Sequence, residues 1–552
     1  MSSEKEPGPP SLPAGLLLLG APAALFGAVM AGNAVNVPAS DDYGAIVPFL
    51  NGWRLAAGFG PRLHLLWEQF CSTRQPLTRA AAVLASGSGG ACDLRILDAI
   101  AWLGWILFAA GLVASSRTLS RHVPAALALA FFLLQPQGYS NMLTATGSPG
   151  HVWILIFSFW AFLLSMSPGR TQRTAAWACA AGAALSGVNG LLVFPIIAAG
   201  KAFGGDRRQF GEWTALGIAA WALYFIGYST AMQPFAHNPF SVATLAGNAA
   251  VMVGGIAAFG PLAAKTWAVA AVGAAVLAAA LGMCWLDWRA RRVAHTTLFV
   301  LFLLGSVAMA AWARIGWGMD YMLQDRYRPY GLAIVATLFL RSAEGMPGTR
   351  LRRFGIAAAL AGAAFCFLSY YQTYSQIDNG RSWAEATAMN LQLSRQLPMA
   401  SVPDQAGAAD GLAQAVGLGT LRPPRFLSEG DLGTIRSLAQ PPGPRPDPGF
   451  LARPSGAFCG YLLSRAGGAA APAGGVPVFG VVLQPQGPLI VPLLRPRIRL
   501  AEVPSHRSFL EDLSVFLIPQ IAYEPGVHPF FVMVRRPDRT LSAAWSGTVA
   551  CP

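Results

Sequence analysis

Long apolar runs, separated by short polar or basic segments, fill the first two thirds of the chain. Such runs predict membrane helices, because about 20 apolar residues cross the hydrocarbon layer of a bilayer. The run 175–200 is interrupted by Ser186–Gly190, which predicts a broken helix. The predicted segments are 16–31, 95–114, 123–135, 151–166, 175–200, 213–232, 244–260, 266–286, 296–313, 329–341 and 354–373.

The pattern changes near residue 377. Residues 377–449 predict surface helices followed by a Pro-rich linker, Gln440–Gly449. Beyond residue 450, short β-branched or apolar runs separated by Pro and Gly predict strands. We therefore predict an α-helical polytopic membrane domain over 1–376 with about 10–13 membrane segments, a connector over 377–449, and a small β-rich domain over 450–552.

Composition excludes an ordinary soluble enzyme. Hydrophobic residues make up 54% of the chain and charged residues 12%, against roughly 25% charged in typical soluble domains. The net charge of +14 does not indicate nucleic-acid binding, because the basic residues flank apolar runs, where they set membrane orientation. The five basic clusters are 117–121, 170–173, 201–208, 289–292 and 341–353.

These clusters predict one topology. If all five face the cytoplasm, the N-terminus is cytoplasmic, and the opposite side receives loop 34–94, loop 137–150, loop 314–328 and the C-terminal domain. Segment 244–260 must then be interfacial or re-entrant. Cysteines on that opposite side predict two disulfides, Cys71–Cys92 and Cys459–Cys551, because oxidation is possible there.

Two adjacent acids open the first outer loop. Asp41 and Asp42 lie just beyond the first segment of an acid-poor chain. One carboxylate can take a proton from an attacking hydroxyl while its neighbour orients a group or shifts its pKa. Two alternatives stay open: a divalent metal bound by the pair, and an Asp pair that caps the helix beginning at Tyr43.

The rest of the loop fits a site at the lipid–water boundary. Tyr43–Leu50 and Arg62–Phe70 have apolar residues at helical spacing with charged residues between them, which predicts interfacial helices. Tyr43 and Glu68 are candidate substrate-binding residues. Arg74 is a candidate phosphate ligand, although a solvated arginine explains it as well.

A second group of charges lies in loop 314–328. Arginines on the outer side oppose the positive-inside trend, and an anionic headgroup explains them because guanidinium groups pair with phosphate oxygens. The aromatic residues beside them suit a sugar ring or the membrane interface. The alternative is an Arg–Asp salt-bridge network between two helix ends. Candidate phosphate ligands are Arg314, Arg326 and Arg328, and candidate substrate contacts are Trp317, Asp325 and Tyr327.

Nucleotide-binding and hydrolase motifs are missing from the sequence, including a Walker loop, GxGxxG after a strand, HExxH and GxSxG. The layout instead resembles the GT-C polytopic membrane glycosyltransferases, in an uncharacterised bacterial branch. The resemblance is carried by Asp41-Asp42, loop 34–94, the break in SGVNGLLVFP and the DRYRP segment (Asp325–Pro329). Trp67–Arg79 is similar to a Trp-Glu-Gln-x-Asn-Glu-His-Arg stretch but lacks its Asn, Glu and His.

The resemblance implies a function. It implies an inverting glycosyltransferase of the inner membrane of a Gram-negative bacterium, with a periplasmic C-terminal domain. Asp41 or Asp42 would be the base, and Arg314 or Arg326 would hold the phosphate of a polyprenyl-phosphate-linked sugar. The acceptor would be a periplasmic-side glycan or lipid, and no cofactor is required beyond a possible divalent metal. The alternatives are a flippase or transporter for a lipid-linked saccharide, and a polysaccharide polymerase or ligase.

Overall fold

The computed structural model describes most of the chain. The described residues are 19–229, 241–260, 265–394, 397, 405–438, 450–454, 459–465, 476–485, 487–495, 497–498, 500–506, 509–510, 514–518, 526–536 and 538–551. The predicted linker 440–449 and the first residues of segment 16–31 lie outside this set. Two compact units divide the chain and are described separately. The first comprises Met1–Gly32, Leu66–Ala81 and Leu97–Tyr370, and the second comprises Asn33–Leu65, Ala82–Ile96 and Tyr371–Pro552.

The described structure is mostly helical. Four helices are long and apolar enough to cross a membrane: Leu94–Ser115, Thr266–Arg289, His295–Ala313 and Gly348–Leu393. The remaining α-helices are Gly20–Asn33, Asp42–Ala45, Val47–Leu55, Phe59–Trp67, Pro76–Ala85, Arg117–Arg121, Val123–Leu133, Ile154–Ser165, Arg170–Ser186, Val193–Phe203, Arg207–Phe225, Val242–Gly254, Arg328–Glu344, Gln405–Leu418, Glu429–Ser437 and Val503–His506. Several predicted segments are therefore helices shorter than a full span.

The predicted break in run 175–200 is confirmed. Helix Arg170–Ser186 ends at Gly187, and a 3-10 turn over Val188–Leu192 leads into helix Val193–Phe203. Gly190 lies so close to the backbone of Ala183 that a Cβ atom would stand 2.0 Å from its carbonyl oxygen. Only glycine permits this approach, which folds the turn back onto the preceding helix.

Glycines also fix the packing of helices Val242–Gly254 and Thr266–Arg289. A Cβ atom at Gly254 would stand 1.9 Å from the carbonyl oxygen of Val269, and one at Gly273 would stand 1.7 Å from that of Ala250. Small residues let two helix backbones approach this closely, as in membrane helix pairs. The segment predicted to be re-entrant is thus a short helix packed along a long one.

The change of composition near residue 377 lies within one helix, and the domain boundary placed there stays a prediction. The last predicted membrane segment and the predicted surface helix after it form one helix of 46 residues, Gly348–Leu393. Hydropathy falls along its second half, but no proline interrupts it. The fall in hydropathy therefore marks a change of environment and not a helix end.

Contacts within the first unit join basic clusters at one end of its helices. Arg341 forms an ion pair of 2.8 Å with Asp287, which precedes cluster 289–292. Lys201 donates to the carbonyl oxygen of Ser165, near cluster 170–173, at 2.6 Å. Three further contacts lie in or beside the basic clusters and join the remaining ones: Arg173 with Glu212, Gly200 with Val293, and Glu344 with Ser116. The five basic clusters therefore share one end of this unit.

The second unit contains two antiparallel sheets. Strands β3 (Phe450–Pro454), β4 (Cys459–Arg465) and β7 (Ser514–Ile518) form one sheet in the order β3-β4-β7. Strands β5 (Val476–Gln484), β6 (Gly487–Pro492), β8 (Gly526–Arg535) and β9 (Leu541–Cys551) form the other in the order β6-β5-β8-β9. The predicted β-rich region is confirmed.

The larger sheet packs against helices. Met389 on the long helix and Leu432 and Ile435 on helix Glu429–Ser437 bury their side chains against Val481 and Phe531 of the sheet. Asn390 donates to the carbonyl oxygen of Ile490 at 2.8 Å and accepts from its N–H at 2.8 Å. One side-chain amide therefore binds both peptide groups of a residue in β6.

The first outer loop also contributes to the second unit. Asn51 donates to the carbonyl oxygen of Gly411 at 2.9 Å and accepts from the hydroxyl of Thr420 at 3.1 Å. Asn36 donates to the carbonyl oxygen of Arg422 at 2.9 Å. This part of the loop folds with helix Gln405–Leu418, a grouping that the sequence does not predict.

Candidate functional site

The loop between helices His295–Ala313 and Arg328–Glu344 is short and structured. It contains two 3-10 turns, Met319–Leu323 and Asp325–Tyr327, and Pro329 occupies the first turn of the second helix. Proline is favoured there because its missing N–H has no intrahelical partner to lose. The loop therefore holds its charged side chains on a fixed backbone.

Two guanidinium groups lie on the same aromatic ring. The Cζ atoms of Arg314 and Arg326 are each 5.9 Å from the ring centre of Tyr327, and Arg326 is also 5.8 Å from the ring of Tyr321. Trp317 stacks edge-on against Tyr321 at 4.3 Å. Like charges held side by side repel each other, so an anion bound between them would be stabilised.

The nearby carboxylates are engaged elsewhere. Asp325 accepts backbone N–H bonds from Ser140 at 3.2 Å and from Arg326 at 3.0 Å. Asp320 accepts from the hydroxyl of Thr266 at 2.6 Å. Within the described part of the chain, no carboxylate lies within 4.0 Å of the guanidinium groups of Arg314 and Arg328. The described contacts therefore give no support to the alternative salt-bridge network at Arg314, whereas the charge of Asp325 does act on Arg328.

Several polar atoms of this loop have hydrogen-bonding capacity to spare. The Nε atoms of Arg314 and Arg328 are buried and have no partner among the described residues, and the buried hydroxyl of Tyr327 interacts with the side chain of Arg314. Burial raises the pKa of Tyr327, and the charges of Arg314 and Arg326 partly oppose this shift. The phenol therefore stays neutral at physiological pH and is available as a hydrogen-bond donor.

Two residues that the sequence did not single out as site residues lie beside the arginine loop. Asn141 donates to the carbonyl oxygen of Arg326 at 2.8 Å. His151 lies close enough to interact electrostatically with Arg326 and Arg314, and its Nδ1 atom has no partner among the described residues. The signal that could have found Asn141 is the polar run Gln135–Asn141 within an apolar stretch.

Asn189 lies in the helix break. Its side-chain amide donates to the hydroxyl of Tyr330 at 3.0 Å and to the hydroxyl of Ser306 at 3.3 Å. Asn189 thereby links the break to the helix that follows the arginine loop.

Comparison with known proteins found no relative of this chain. No protein family, no curated protein and no solved structure matches it. Its function is therefore inferred from the chemistry of its own residues.

The structure separates the two adjacent acids. Asp42 is buried, and its carboxylate accepts the backbone N–H of Ala39 at 3.1 Å. Asp41 is exposed and occupies the N-cap position of helix Asp42–Ala45, but its side chain makes no capping bond. The helix-cap alternative therefore does not explain the Asp41 carboxylate, and Asp41 is the more accessible candidate base.

Tyr43 is buried beside Asp42. Burial raises the pKa of the Tyr43 phenol, the charge of Asp42 raises it further, and a hydrogen bond with Thr387 opposes the shift. Tyr43 is thus part of the packed interior of the second unit. This position gives no support to the prediction that Tyr43 binds substrate.

Arg74 and Glu68 form a separate group in the first unit. The guanidinium group of Arg74 donates to the carbonyl oxygens of Trp67 and Ile226, and Tyr224 caps its backbone N–H at 2.9 Å. Its buried Nε lacks a partner among the described residues, but both terminal nitrogens are engaged. These bonds give Arg74 a structural role, and its role as a phosphate ligand stays a prediction.

Glu68 lies beside Arg79. The guanidinium group of Arg79 donates to the backbone carbonyl oxygen of Glu68 at 2.6 Å and is 4.0 Å from its carboxylate. Burial lowers the pKa of Arg79, and the charge of Glu68 opposes this shift. The described contacts of Glu68 are those of a structural pair, and its predicted role in substrate binding stays untested.

The predicted Cys71–Cys92 disulfide is wrong. Cys71 is exposed at the turn between short strands Gln69–Phe70 (β1) and Thr73–Arg74 (β2), whereas the thiol of Cys92 is buried, and no disulfide joins them. Burial raises the pKa of the Cys92 thiol to about 12. Cys459 begins β4 and Cys551 ends β9, but their side chains lie outside the described set.

Metal binding was left open by the sequence. Among the residues that the structure describes, no three His, Cys, Asp or Glu side chains come together as ligands. The structure does gather Arg314, Arg326, Arg328, Trp317, Asp325 and Tyr327 in one loop, whereas Asp41, Asp42 and Tyr43 belong to the second unit.

Proposed function

We propose that this protein is a membrane glycosyltransferase that uses a polyprenyl-phosphate-linked sugar. The observation that carries the proposal is the pair of guanidinium groups on the ring of Tyr327, where Arg314 has no carboxylate partner within 4.0 Å among the described residues. A lipid phosphate pairs with such groups through charge-assisted hydrogen bonds. Arg328 and the Tyr327 hydroxyl add further donors.

Membrane insertion is part of the proposal and is supported by exposed tryptophans. Helix Thr266–Arg289 exposes Trp267 near its start and Trp285 and Trp288 near its end. At 1.5 Å per residue these ends are about 27–32 Å apart, and the hydrocarbon layer of a bilayer is about 30 Å thick. Tryptophan is enriched at both interfaces of a membrane.

Orientation follows from the shared position of the basic clusters. Thr266 bonds to Asp320 of the arginine loop, and Asp287 at the other end of the same helix pairs with Arg341. If the basic end is cytoplasmic, the arginine loop faces the periplasm. A periplasmic C-terminus predicts that a C-terminal alkaline phosphatase fusion is active and a green fluorescent protein fusion is dark. The reverse pattern would contradict this topology.

The proposed reaction is an inverting transfer. The acceptor hydroxyl attacks the anomeric carbon from the face opposite the phosphate and loses its proton to a carboxylate that acts as general base. The bond between the anomeric carbon and the phosphate oxygen breaks, and polyprenyl phosphate leaves with the electron pair. The arginines stabilise the charge that develops on that leaving group.

The proposal is tested with the full-length protein in lipid nanodiscs and undecaprenyl phosphate as the probe. We expect Arg314→Gln to weaken binding by about ten- to a hundredfold, because hydrogen bonds to a charged group contribute about 1.5–3 kcal/mol. Arg121→Gln, an exposed arginine in a basic cluster, is the matched control and is expected to bind normally. Unchanged binding by Arg314→Gln would contradict the proposal.

The main alternative, a flippase, is separated by the fate of the donor. A transferase releases bare polyprenyl phosphate from the sugar-linked lipid, whereas a flippase leaves that lipid intact. Thin-layer chromatography of radiolabelled donor, incubated with membranes that contain the acceptor, measures this difference. An intact donor that changes leaflet would support the flippase.

A further inference from the structure

A short polar segment lies beside the arginine loop. Gln135–Asn141, here called the polar shelf, follows helix Val123–Leu133 and has the sequence Gln-Pro-Gln-Gly-Tyr-Ser-Asn. Three of its side chains are almost fully buried, with exposures of 2% for Gln135, 1% for Gln137 and 1% for Asn141. Burying polar groups is unfavourable unless their hydrogen bonds are satisfied, so this segment requires an explanation.

Three contacts fix the polar shelf to the arginine loop. The carboxylate of Asp325 accepts from the N–H of Ser140 at 3.2 Å, and the amide of Asn141 donates to the carbonyl oxygen of Arg326 at 2.8 Å. Gly138 packs against Pro329, where a Cβ atom would stand 3.1 Å from the proline ring. The polar shelf and the guanidinium groups therefore belong to one local structure.

The amides of the polar shelf are oriented by one bond each. The Oε1 atom of Gln135 accepts the N–H of Gln137 at 2.8 Å, and the Nε2 atom of Gln137 donates to the carbonyl oxygen of Ile256 at 3.0 Å. These bonds leave the other polar atom of each amide unused. The Nε2 atom of Gln135, the Oε1 atom of Gln137 and the Oγ atom of Ser140 are buried without a partner among the described residues.

The type of these atoms indicates the type of ligand. Gln135 offers a donor, Gln137 offers an acceptor, and the hydroxyl of Ser140 can do either. A phosphate dianion only accepts hydrogen bonds, so it cannot satisfy the Oε1 atom of Gln137. A sugar hydroxyl both donates and accepts, and a sugar attached to the phosphate would lie beside the arginines.

We propose that the polar shelf binds hydroxyl groups of the sugar whose phosphate is held by Arg314 and Arg326. This inference rests on the proposed function, since it assigns the sugar subsite of the same donor. Ser140, Gln137 and Gln135 then contribute to the choice of sugar, and the arginines contribute affinity for any polyprenyl phosphate.

Ser140→Ala provides the sharpest test. Its hydroxyl has no partner among the described residues, and its backbone bond to Asp325 is kept, so the variant is expected to fold like the wild type. The full-length protein in nanodiscs is titrated with bare undecaprenyl phosphate and with the same lipid carrying glucosyl, mannosyl, galactosyl or arabinosyl groups. Ser158→Ala, which removes another buried hydroxyl without a described partner, is the matched control.

We expect the wild type to bind at least one sugar-bearing lipid more tightly than bare undecaprenyl phosphate. Ser140→Ala should lower that preference by about three- to tenfold, the value of one hydrogen bond, while its affinity for the bare lipid and that of Ser158→Ala stay unchanged. The inference is overturned if no sugar-bearing lipid is preferred, or if Ser140→Ala keeps the preference. Failure of the proposed function is a different result, namely bare-lipid binding that is unaffected by Arg314→Gln.

Discussion

The first outer loop and the arginine loop are both rich in charge within a charge-poor chain, yet the fold uses their charges differently. In the first outer loop, Arg74 binds two backbone carbonyls and Asp42 binds the N–H of Ala39. Only the buried Nε of Arg74 is left without a described partner. In the arginine loop, the buried Nε atoms of Arg314 and Arg328 both lack one, and no carboxylate lies within 4.0 Å of either guanidinium group among the described residues. The difference shows that residue type alone does not identify a binding site. Hydrogen-bonding capacity that the fold leaves unused is the better indicator.

Of the substitutions considered, Asp41→Asn is expected to change activity the most. If Asp41 is the base, the substitution removes proton transfer and lowers consumption of radiolabelled donor by about 10²–10⁴-fold. Asp42→Asn is the matched variant. Its amide oxygen still accepts the N–H of Ala39, so we expect donor consumption per folded molecule within about twofold of wild type, since Asn replaces Asp well in such local bonds.

Two outcomes would break this part of the comparison. Loss of activity in Asp42→Asn with normal activity in Asp41→Asn would exchange the roles of the two acids. Normal activity in both would place the chemistry outside the first outer loop. Protein amounts are matched by immunoblotting, and folding is checked by size-exclusion chromatography.

Arg74→Gln is expected to lower stability, whereas Arg314→Gln is expected to lower lipid binding. Arg74→Gln leaves the partly buried carbonyl groups of Trp67 and Ile226 without their charged donor, and each hydrogen bond to a charged group contributes about 1.5–3 kcal/mol. We expect a clear fall in the thermal unfolding temperature. Arg314→Gln removes a guanidinium that has no described carboxylate partner, so stability should be unchanged while lipid binding falls. Equal stability losses in the two variants would remove the distinction between the loops.

The smallest expected effect is a shift in the pH dependence of Cys92 alkylation. Its thiol pKa is raised to about 12, mainly by burial, with smaller contributions from the charge of Asp93 and then that of Asp42. The folded state therefore holds the thiol proton more tightly than the unfolded state, so this contribution to stability is complete below the ordinary thiol pKa and is lost as pH rises towards 12. Alkylation of Cys92 in a Cys71→Ser background should be slow at pH 8 and should reach half its maximal rate at a lower pH in Asp42→Asn. An unchanged profile would show that Asp42 does not act on Cys92.

The sequence predicted the helical class, the break at Gly187 and the β-rich end, because apolar length, glycine clusters and β-branched runs act locally. It placed a helix end near residue 377 because hydropathy falls there. Polar residues such as Gln372 and Asn379 continue the helix, since a fall in hydropathy without a proline does not by itself end a helix.

The candidate site was predicted in part for a related reason. Arg314, Arg326 and Tyr327 are neighbours in sequence, so their grouping is local. Ser140 and Asn141 reach that loop through bonds that join residues 185 positions apart, and one sequence without an alignment carries no signal for such pairs. The structural role of Arg74 depends in the same way on Ile226, 152 positions away.

The bond pair between Asn390 and Ile490 has a consequence for solubility. Strand β6 is at the edge of its four-stranded sheet, and an open edge can recruit a strand from another molecule and begin aggregation. The side-chain amide of Asn390 imitates a peptide group and occupies both the N–H and the carbonyl oxygen of Ile490. A helix residue thus protects this position of the sheet against strand addition by a second copy.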